Sequence, residues 1–176
     1  MNIQHNIQLK PYNSFQTEAL AKLFCEPASV DELVEIIKSY PHEKKLVLGG
    51  GFNLFFTKDF DGLIIHPKIN NRNVWYEDDE VIEIEAFASE SWDNFVAYCV
   101  SNNYSGIENL SLIPSTVGAA PVQNIGAYGT EVKDVITLVR TVHIETGDLK
   151  DFTNEMCEFE YRDSIFKRTN KYVITS

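Results

Sequence analysis

Chemistry in this chain concentrates in one stretch, Ile113–Gly129, which reads Ile-Pro-Ser-Thr-Val-Gly-Ala-Ala-Pro-Val-Gln-Asn-Ile-Gly-Ala-Tyr-Gly. Its three glycines, Gly118, Gly126 and Gly129, and its alanines let a backbone run close against a flat or highly charged group, because no large side chain intervenes. The amides of Gln123 and Asn124 add donors and acceptors that suit the polar edge of a heterocycle. The plain alternative is a long surface loop. Against it, the stretch is also rich in Ile, Val, Ala and Pro and should be buried, and a buried irregular backbone needs partners for its polar groups. A bound cofactor would supply them. Upstream, Gly49-Gly50-Gly51 either offers its N–H groups to a pyrophosphate or is a simple tight turn between strands.

Other reactive side chains carry weaker signals. Glu83 and Glu85 share one face of an alternating strand and could form an acid–base pair, but a solvated sheet face is the stronger expectation. His143 sits mid-strand with no other His or Cys at metal spacing, so no metal site is expected. Cys25, Cys99 and Cys157 are widely spaced and contain no CxxC, which fits reduced thiols. A net charge of −11 over 176 residues argues against nucleic acid or an anionic membrane as the main partner. It does not exclude an anionic cofactor, which backbone N–H groups can bind without Lys or Arg. Met1–Lys10 is polar and no apolar run approaches membrane-spanning length, so a cytoplasmic protein is expected.

The elements that must position these residues follow in order. Ile7–Phe15 is an extended lead-in with a Pro11 turn, and Ala19–Cys25 is a strand. Ser29 caps a helix, with Glu32 placed to close a capping box and Tyr40-Pro41 to end it. Lys45–Leu48 is a strand running into the three glycines, and Gly62–Ile65 is another. The βαβ-like opening lacks GxGxxG and no helix pattern follows the glycines, so it is not the usual dinucleotide fold. Asn73–Tyr76 and Val81–Ala88 alternate as strands, and Ser91–Asn102 is an amphipathic helix with Trp92, Phe95, Val96 and Cys99 on one stripe. Val135–Glu145 is a long strand returning through a Thr146-Gly147-Asp148 turn into Leu149–Phe152. Thr153–Cys157 is a helical turn, and Tyr172–Thr175 a last strand. This is an α+β chain of one domain or two small, intimate lobes.

Taken together, Ile113–Gly129, Leu48-Gly49-Gly50-Gly51-Phe52-Asn53-Leu54, Gly106-Ile107-Glu108-Asn109-Leu110 and Tyr161-Arg162-Asp163-Ser164-Ile165-Phe166-Lys167 resemble the UDP-N-acetylenolpyruvoylglucosamine reductase family, in its order and spacing. The resemblance runs from about Leu9 to Ser176. It implies a two-lobed FAD-binding fold of the vanillyl-alcohol-oxidase-like type, with residues 1–68 as the first lobe and 69–176 as the second. It implies FAD as cofactor, NADPH as reductant and a UDP-sugar enolpyruvate as substrate. The implied cofactor-binding residues are Gly49, Gly50, Gly51, Phe52, Asn53, Leu54, Pro114, Ser115, Thr116, Gly118, Ala119, Gln123, Asn124, Gly126 and Ala127. Tyr128 and Tyr161 would meet substrate. Arg162 would be the catalytic cation that holds charge developing on the enolpyruvyl carboxylate, since a guanidinium matches a carboxylate and stays ionised. A local ion pair with Asp163 is the alternative for Arg162.

The family's proton-donating serine and second acidic residue have no counterpart here, and its substrate-binding domain is absent. A non-catalytic FAD-binding remnant or module is therefore the runner-up, and another oxidase of the same flavin fold a third reading. Several family positions also carry larger residues: Phe52 for serine, and Ser89, Ser115 and Glu160 for glycine; near the start, Asn13-Ser14-Phe15-Gln16 stands where the family has Asn-Thr-Phe-Gly. Wherever such a backbone needs a positive φ, a Cβ costs on the order of 1 kcal/mol. FAD is accordingly expected to bind more weakly than in a complete relative. A chain stopping at Tyr172–Thr175 should leave an edge and an apolar face uncovered, which favours self-association.

Overall fold

The computed structural model describes residues 2–176. Two sheets divide most of the strands. β1 (Ile3–Gln8), β2 (Leu20–Cys25), β3 (Lys45–Val47) and β4 (Phe60–Ile65) form a four-stranded sheet in the order β1-β2-β4-β3. β1 is antiparallel to β2, while β4 runs parallel to both β2 and β3. The chain thus leaves β3 and must travel back along the sheet before β4 fills the middle position. The glycines lie at the start of that return.

Between β2 and β3 runs α1 (Val30–Ser39). Ser29 caps it, its hydroxyl accepting from the Glu32 N–H at 3.1 Å. Glu32 reaches past the cap residue and accepts from the Ala28 N–H at 2.9 Å, so the expected capping box closes one residue early. The apolar stripe of α1, Leu33, Ile36 and Ile37, is buried against Leu23, Leu63 and Ile65 on one side and Val142, Ile144 and Val173 on the other. One apolar cluster therefore holds the first sheet to the rest of the chain.

The second sheet has the order β10-β9-β11, made from β9 (Leu138–His143), β10 (Leu149–Thr153) and β11 (Tyr172–Ile174). β9 starts three residues later than the Val135 the alternation predicts. Val132–Asp134 instead makes a 3-10 turn, with Glu131 and Asp134 capping each other reciprocally. β5 (Arg72–Glu77) and β6 (Ile82–Ala86) form a separate hairpin, and α2 (Trp92–Ser101) follows. β1 likewise begins at Ile3, before the expected lead-in.

Glu85 departs from the expected solvated face. Its carboxylate accepts from Arg140 at 3.0 Å, Ser176 at 2.8 Å and Trp75 Nε1 at 3.1 Å, and is only 13% exposed. The Arg140 guanidinium stacks on Trp75 with its centre 4.3 Å from the ring centroid. Below this cluster an apolar groove of about 360 Å³ runs between β6, α2 and β9.

Candidate functional site

Ile113–Gly129 has the irregular backbone its composition predicts. Val117–Ala119 and Pro121–Gln123 are 3-10 turns, and β7 (Gly126–Ala127) pairs with β8 (Thr130–Glu131) in a short hairpin. The segment docks on residues 88–92 by three backbone bonds: Val117 N–H to Glu90 O, Gly118 N–H to Ala88 O, and Trp92 N–H to Ser115 O. Gly118 has to be glycine there, since a Cβ would lie 2.6 Å from the Ala88 methyl. Trp92, Val96, Leu110, Ala120 and Ile125 seal the other side. Ser115 donates its hydroxyl to the Thr116 carbonyl, and Pro114 is exposed.

Asn124 is used differently from the expectation of an amide facing a ring. It is fully buried, adopts a left-handed φ of +42°, donates to the Glu160 carbonyl at 2.9 Å and accepts from the Lys133 N–H at 3.1 Å. Asn is among the few non-glycine residues that tolerate this conformation. Its side chain is a tie between loops. The Gln123 amide, by contrast, has no hydrogen-bond partner among the described residues and stays accessible.

The glycine loop meets this segment directly. A Cβ on Gly49 would come within 3.2 Å of Thr116 Oγ1 and 3.5 Å of the Ala119 methyl, so the two stretches meet at this glycine and a side chain there would press on Thr116. Gly51 has φ +68° and rests on the Tyr12 carbonyl, where a Cβ would stand 2.0 Å away. Ser14 donates its N–H to the Gly51 carbonyl at 3.1 Å. The N–H groups of Gly49, Gly50 and Gly51 donate to no described acceptor. Leu54 turns inward and packs on the cluster around Phe24 and Leu48. Phe52 folds its ring over Gly50, so close that a Cβ there would lie 2.3 Å from it. Asn53 is exposed beside it.

Tyr161 and Arg162 occupy the tip of a two-residue turn closed by Glu160 N–H to Asp163 O at 3.0 Å and Asp163 N–H to Glu160 O at 3.1 Å. Ser164 locks this turn to the flanking segment by donating to the Val122 carbonyl at 2.8 Å. Arg162 donates from Nη2 to the Gly126 carbonyl at 2.5 Å. The ion pair with Asp163, the alternative for Arg162, does not form. Asp163 pairs instead with Arg168 at 2.6 Å, which holds its carboxyl below the usual range. The second tip is Tyr128-Gly129 in the β7–β8 hairpin, with φ of +52° and +83°. Tyr128 is 90% and Tyr161 84% exposed, so both stand in solvent on the two tips that the Arg162–Gly126 bond ties together. Among the described residues no cluster of His, Cys, Asp and Glu could hold a metal.

These residues suit a dinucleotide. Three amides in a row without a protein partner among the described residues are a donor set that suits a diphosphate, and the adjoining small-residue platform carries a free carboxamide for a heterocycle. Residues 21–153 match the family model described as FAD binding domain.

The chain belongs to the FAD binding domain family.

Along its whole length it is 49% identical to UDP-N-acetylenolpyruvoylglucosamine reductase of Flavobacterium johnsoniae, and it covers 53% of that protein. It thus spans about half the length of the curated relatives it matches. Among solved structures, the reductase of Thermus caldophilus superposes with a TM-score of 0.77 at 22% identity, covering 99% of this chain and 60% of that one. Cholesterol oxidase of Brevibacterium sterolicum gives 0.61 at 13%, covering 86% and 33%. Both likenesses concern the fold alone, which is α+β.

The feared backbone strain is located elsewhere than expected. None of Phe52, Ser89, Ser115 and Glu160 has a positive φ, so a Cβ costs nothing in torsion there. Ser89 even gains a partner, donating to the Pro67 carbonyl at 2.6 Å. Gln16, where the family has glycine, is the one of the altered positions in the left-handed region, at φ +52°. No helix of the described chain is long and apolar enough to cross a membrane.

Proposed function

We propose that this chain is the flavin-binding part of an enzyme that uses NADPH to reduce UDP-N-acetylglucosamine enolpyruvate to UDP-N-acetylmuramate, a cytoplasmic step of peptidoglycan precursor synthesis. FAD, when bound, supplies the two-electron chemistry. Gly49, Gly50 and Gly51 hold its diphosphate through their N–H groups, and Thr116, Ala119 and Gln123 line the platform for its ring. Arg162 meets the enolpyruvyl carboxylate and stabilises the charge that grows on it, while Tyr128 and Tyr161 border the substrate. The observation that carries this reading is Arg162 itself. Its guanidinium is anchored on the carbonyl of Gly126, inside the flavin segment, and no carboxylate neutralises it. Tyr128 and Arg162 both sit at left-handed φ, and strained backbone of this kind gathers at functional sites.

Titrating the protein with FAD and following flavin fluorescence tests the reading. Saturable one-to-one binding is expected, and no binding at millimolar FAD would overturn it. A second reading, a module that has lost turnover, is favoured by Phe52, whose ring packs against the Cα of Gly50 beside the amide row. Phe52→Ser should tighten FAD by roughly fivefold to tenfold, the worth of one recovered hydrogen bond. The open groove beside Glu85 and Ser176 supports self-association of the isolated chain, read from its sedimentation at rising concentration.

A further inference from the structure

His66 leaves the end of β4 level with the entry to the glycine loop. Its Nδ1 lies 2.8 Å from the carbonyl oxygen of Leu48, the residue before Gly49, and its Nε2 lies 3.1 Å from Lys68 Nζ. An ammonium has no lone pair, so Nε2 accepts from Lys68 and Nδ1 carries the hydrogen that Leu48 O receives. Both neighbours select one neutral tautomer. The ring also meets Tyr12 edge-on, centroids 5.4 Å apart, and Phe24 at 6.0 Å. Tyr12 in turn supplies the carbonyl on which Gly51 rests. One imidazole therefore braces both ends of the loop: the carbonyl before its first glycine, and the wall under its last.

We propose that His66 is the positioning residue for the diphosphate-holding loop, acting through its Nδ1–H bond to Leu48 O and its ring packed on Tyr12. This rests on the FAD reading above. A second proton on the ring would turn Nε2 into a donor facing an ammonium, and two donors cannot bond each other. Lys68 would have to leave toward Glu26, 3.5 Å away, whose carboxylate is also 4.0 Å from Nε2. These are the charged groups that face the ring: Glu26 from the end of β2 and Lys68 from the segment after β4, with the Tyr12 phenol at its edge. Burial lowers the His66 pKa below 6.5, the Leu48 carbonyl and Glu26 oppose that, and Lys68 adds to it. The charged form therefore grows in only below that pH, and it keeps the Nδ1–H donor, so the Lys68 contact is lost as pH falls while the bond to Leu48 O remains.

FAD titrations of the wild type, His66→Asn and His66→Phe at pH 7.5 and pH 5.0 test this, with circular dichroism confirming that each folds. Asn can donate to Leu48 O but does not titrate; Phe fills the space but donates nothing. The expected result is roughly tenfold weaker binding in His66→Phe at both pH values and affinity close to the wild type in His66→Asn, whose amide replaces the Nδ1–H donor. Unchanged affinity in His66→Phe would overturn the positioning role. Binding in His66→Asn as weak as in His66→Phe would overturn the role of the bond to Leu48 O. A wild-type chain that binds no FAD at either pH would overturn the cofactor reading and this inference with it, and so separates the two failures.

Discussion

Two stretches meet at Gly49, and they treat their polar groups in opposite ways. From Val122 to Gly126, the Gln123 amide apart, the groups are used within the protein: Val122 O takes Ser164, both ends of the Asn124 amide are bonded, and Gly126 O takes Arg162. From Gly49 to Gly51 the amides are left open, and the loop is shaped from outside by Tyr12, Ser14 and His66. A self-bonded platform stays rigid without ligand and suits a flat ring. An open row of donors suits a charged group that supplies the missing acceptors. The contrast predicts that changes in the platform act on stability, whereas changes in the cradle act on stability and affinity together.

The largest effect is expected from Gly51→Ala. The new methyl would collide with the Tyr12 carbonyl and also has to adopt a φ of +68°. About 3 kcal/mol of stability and most of the FAD affinity should be lost, read from urea unfolding and flavin fluorescence. Gly129→Ala is the control, because φ is +83° but the space around it is empty. It should cost only about 1 kcal/mol. Equal effects in the two variants would mean that torsion, not contact with Tyr12, sets the cradle.

Asn124→Ala probes the platform. It removes two hydrogen bonds from a residue with no exposure and leaves alanine at φ +42°. A loss of about 2–3 kcal/mol is expected in urea unfolding, while FAD affinity in the folded fraction changes little. An affinity loss that exceeds the stability loss would return Asn124 to the cofactor.

How much of this could be read from the residues alone varies with the kind of signal. Ser29, Tyr40-Pro41 and the stripe of α1 are local, so that helix was legible to within a residue. The order of the glycine- and amide-bearing segments was legible too, because their spacing is linear information. What was not legible depends on contacts across the fold. Glu85 alternates as a solvent-facing residue should, and only the arrival of Arg140 and Ser176 from far along the chain buries it. Asn124 looked like a ligand because its type is the same whether its amide points in or out. His66 gave no signal, for its role needs Leu48, Tyr12 and Lys68 in place around it.

Glu90 separates the platform's support from the platform. Its carboxylate pairs with Arg72 Nε at 3.1 Å, yet Oε2 is buried without a partner. Burial raises its pKa above 4.5, and Arg72 only partly opposes this. Between the unfolded and folded values the native state holds more protons, so stability should fall as pH rises through that window. Subtracting the stability–pH profile of Glu90→Gln from that of the wild type isolates this slope from the other carboxylates. A difference that is flat above pH 4.5 would show that Glu90 is ionised throughout.

The smallest effect should come from Gln16→Gly, and it bears on the cradle's foundation. Tyr12–Ser14 holds Gly51, and the same turn continues to Gln16, whose φ is +52° and whose N–H bonds Asn13 O at 3.1 Å. A side chain in the left-handed region costs roughly 1–2 kcal/mol, but glycine also gives the unfolded chain more freedom, worth roughly 0.5–1 kcal/mol. The net gain should be about 0.5 kcal/mol, visible as a small upward shift of the urea midpoint at constant slope. Gln16 is exposed and its side chain supports nothing in the loop, so FAD affinity should stay the same. A gain in affinity would mean that strain at Gln16 is transmitted through Asn13 to Gly51. The support of the cradle would then be as elastic as the cradle is open, rather than rigid like the platform.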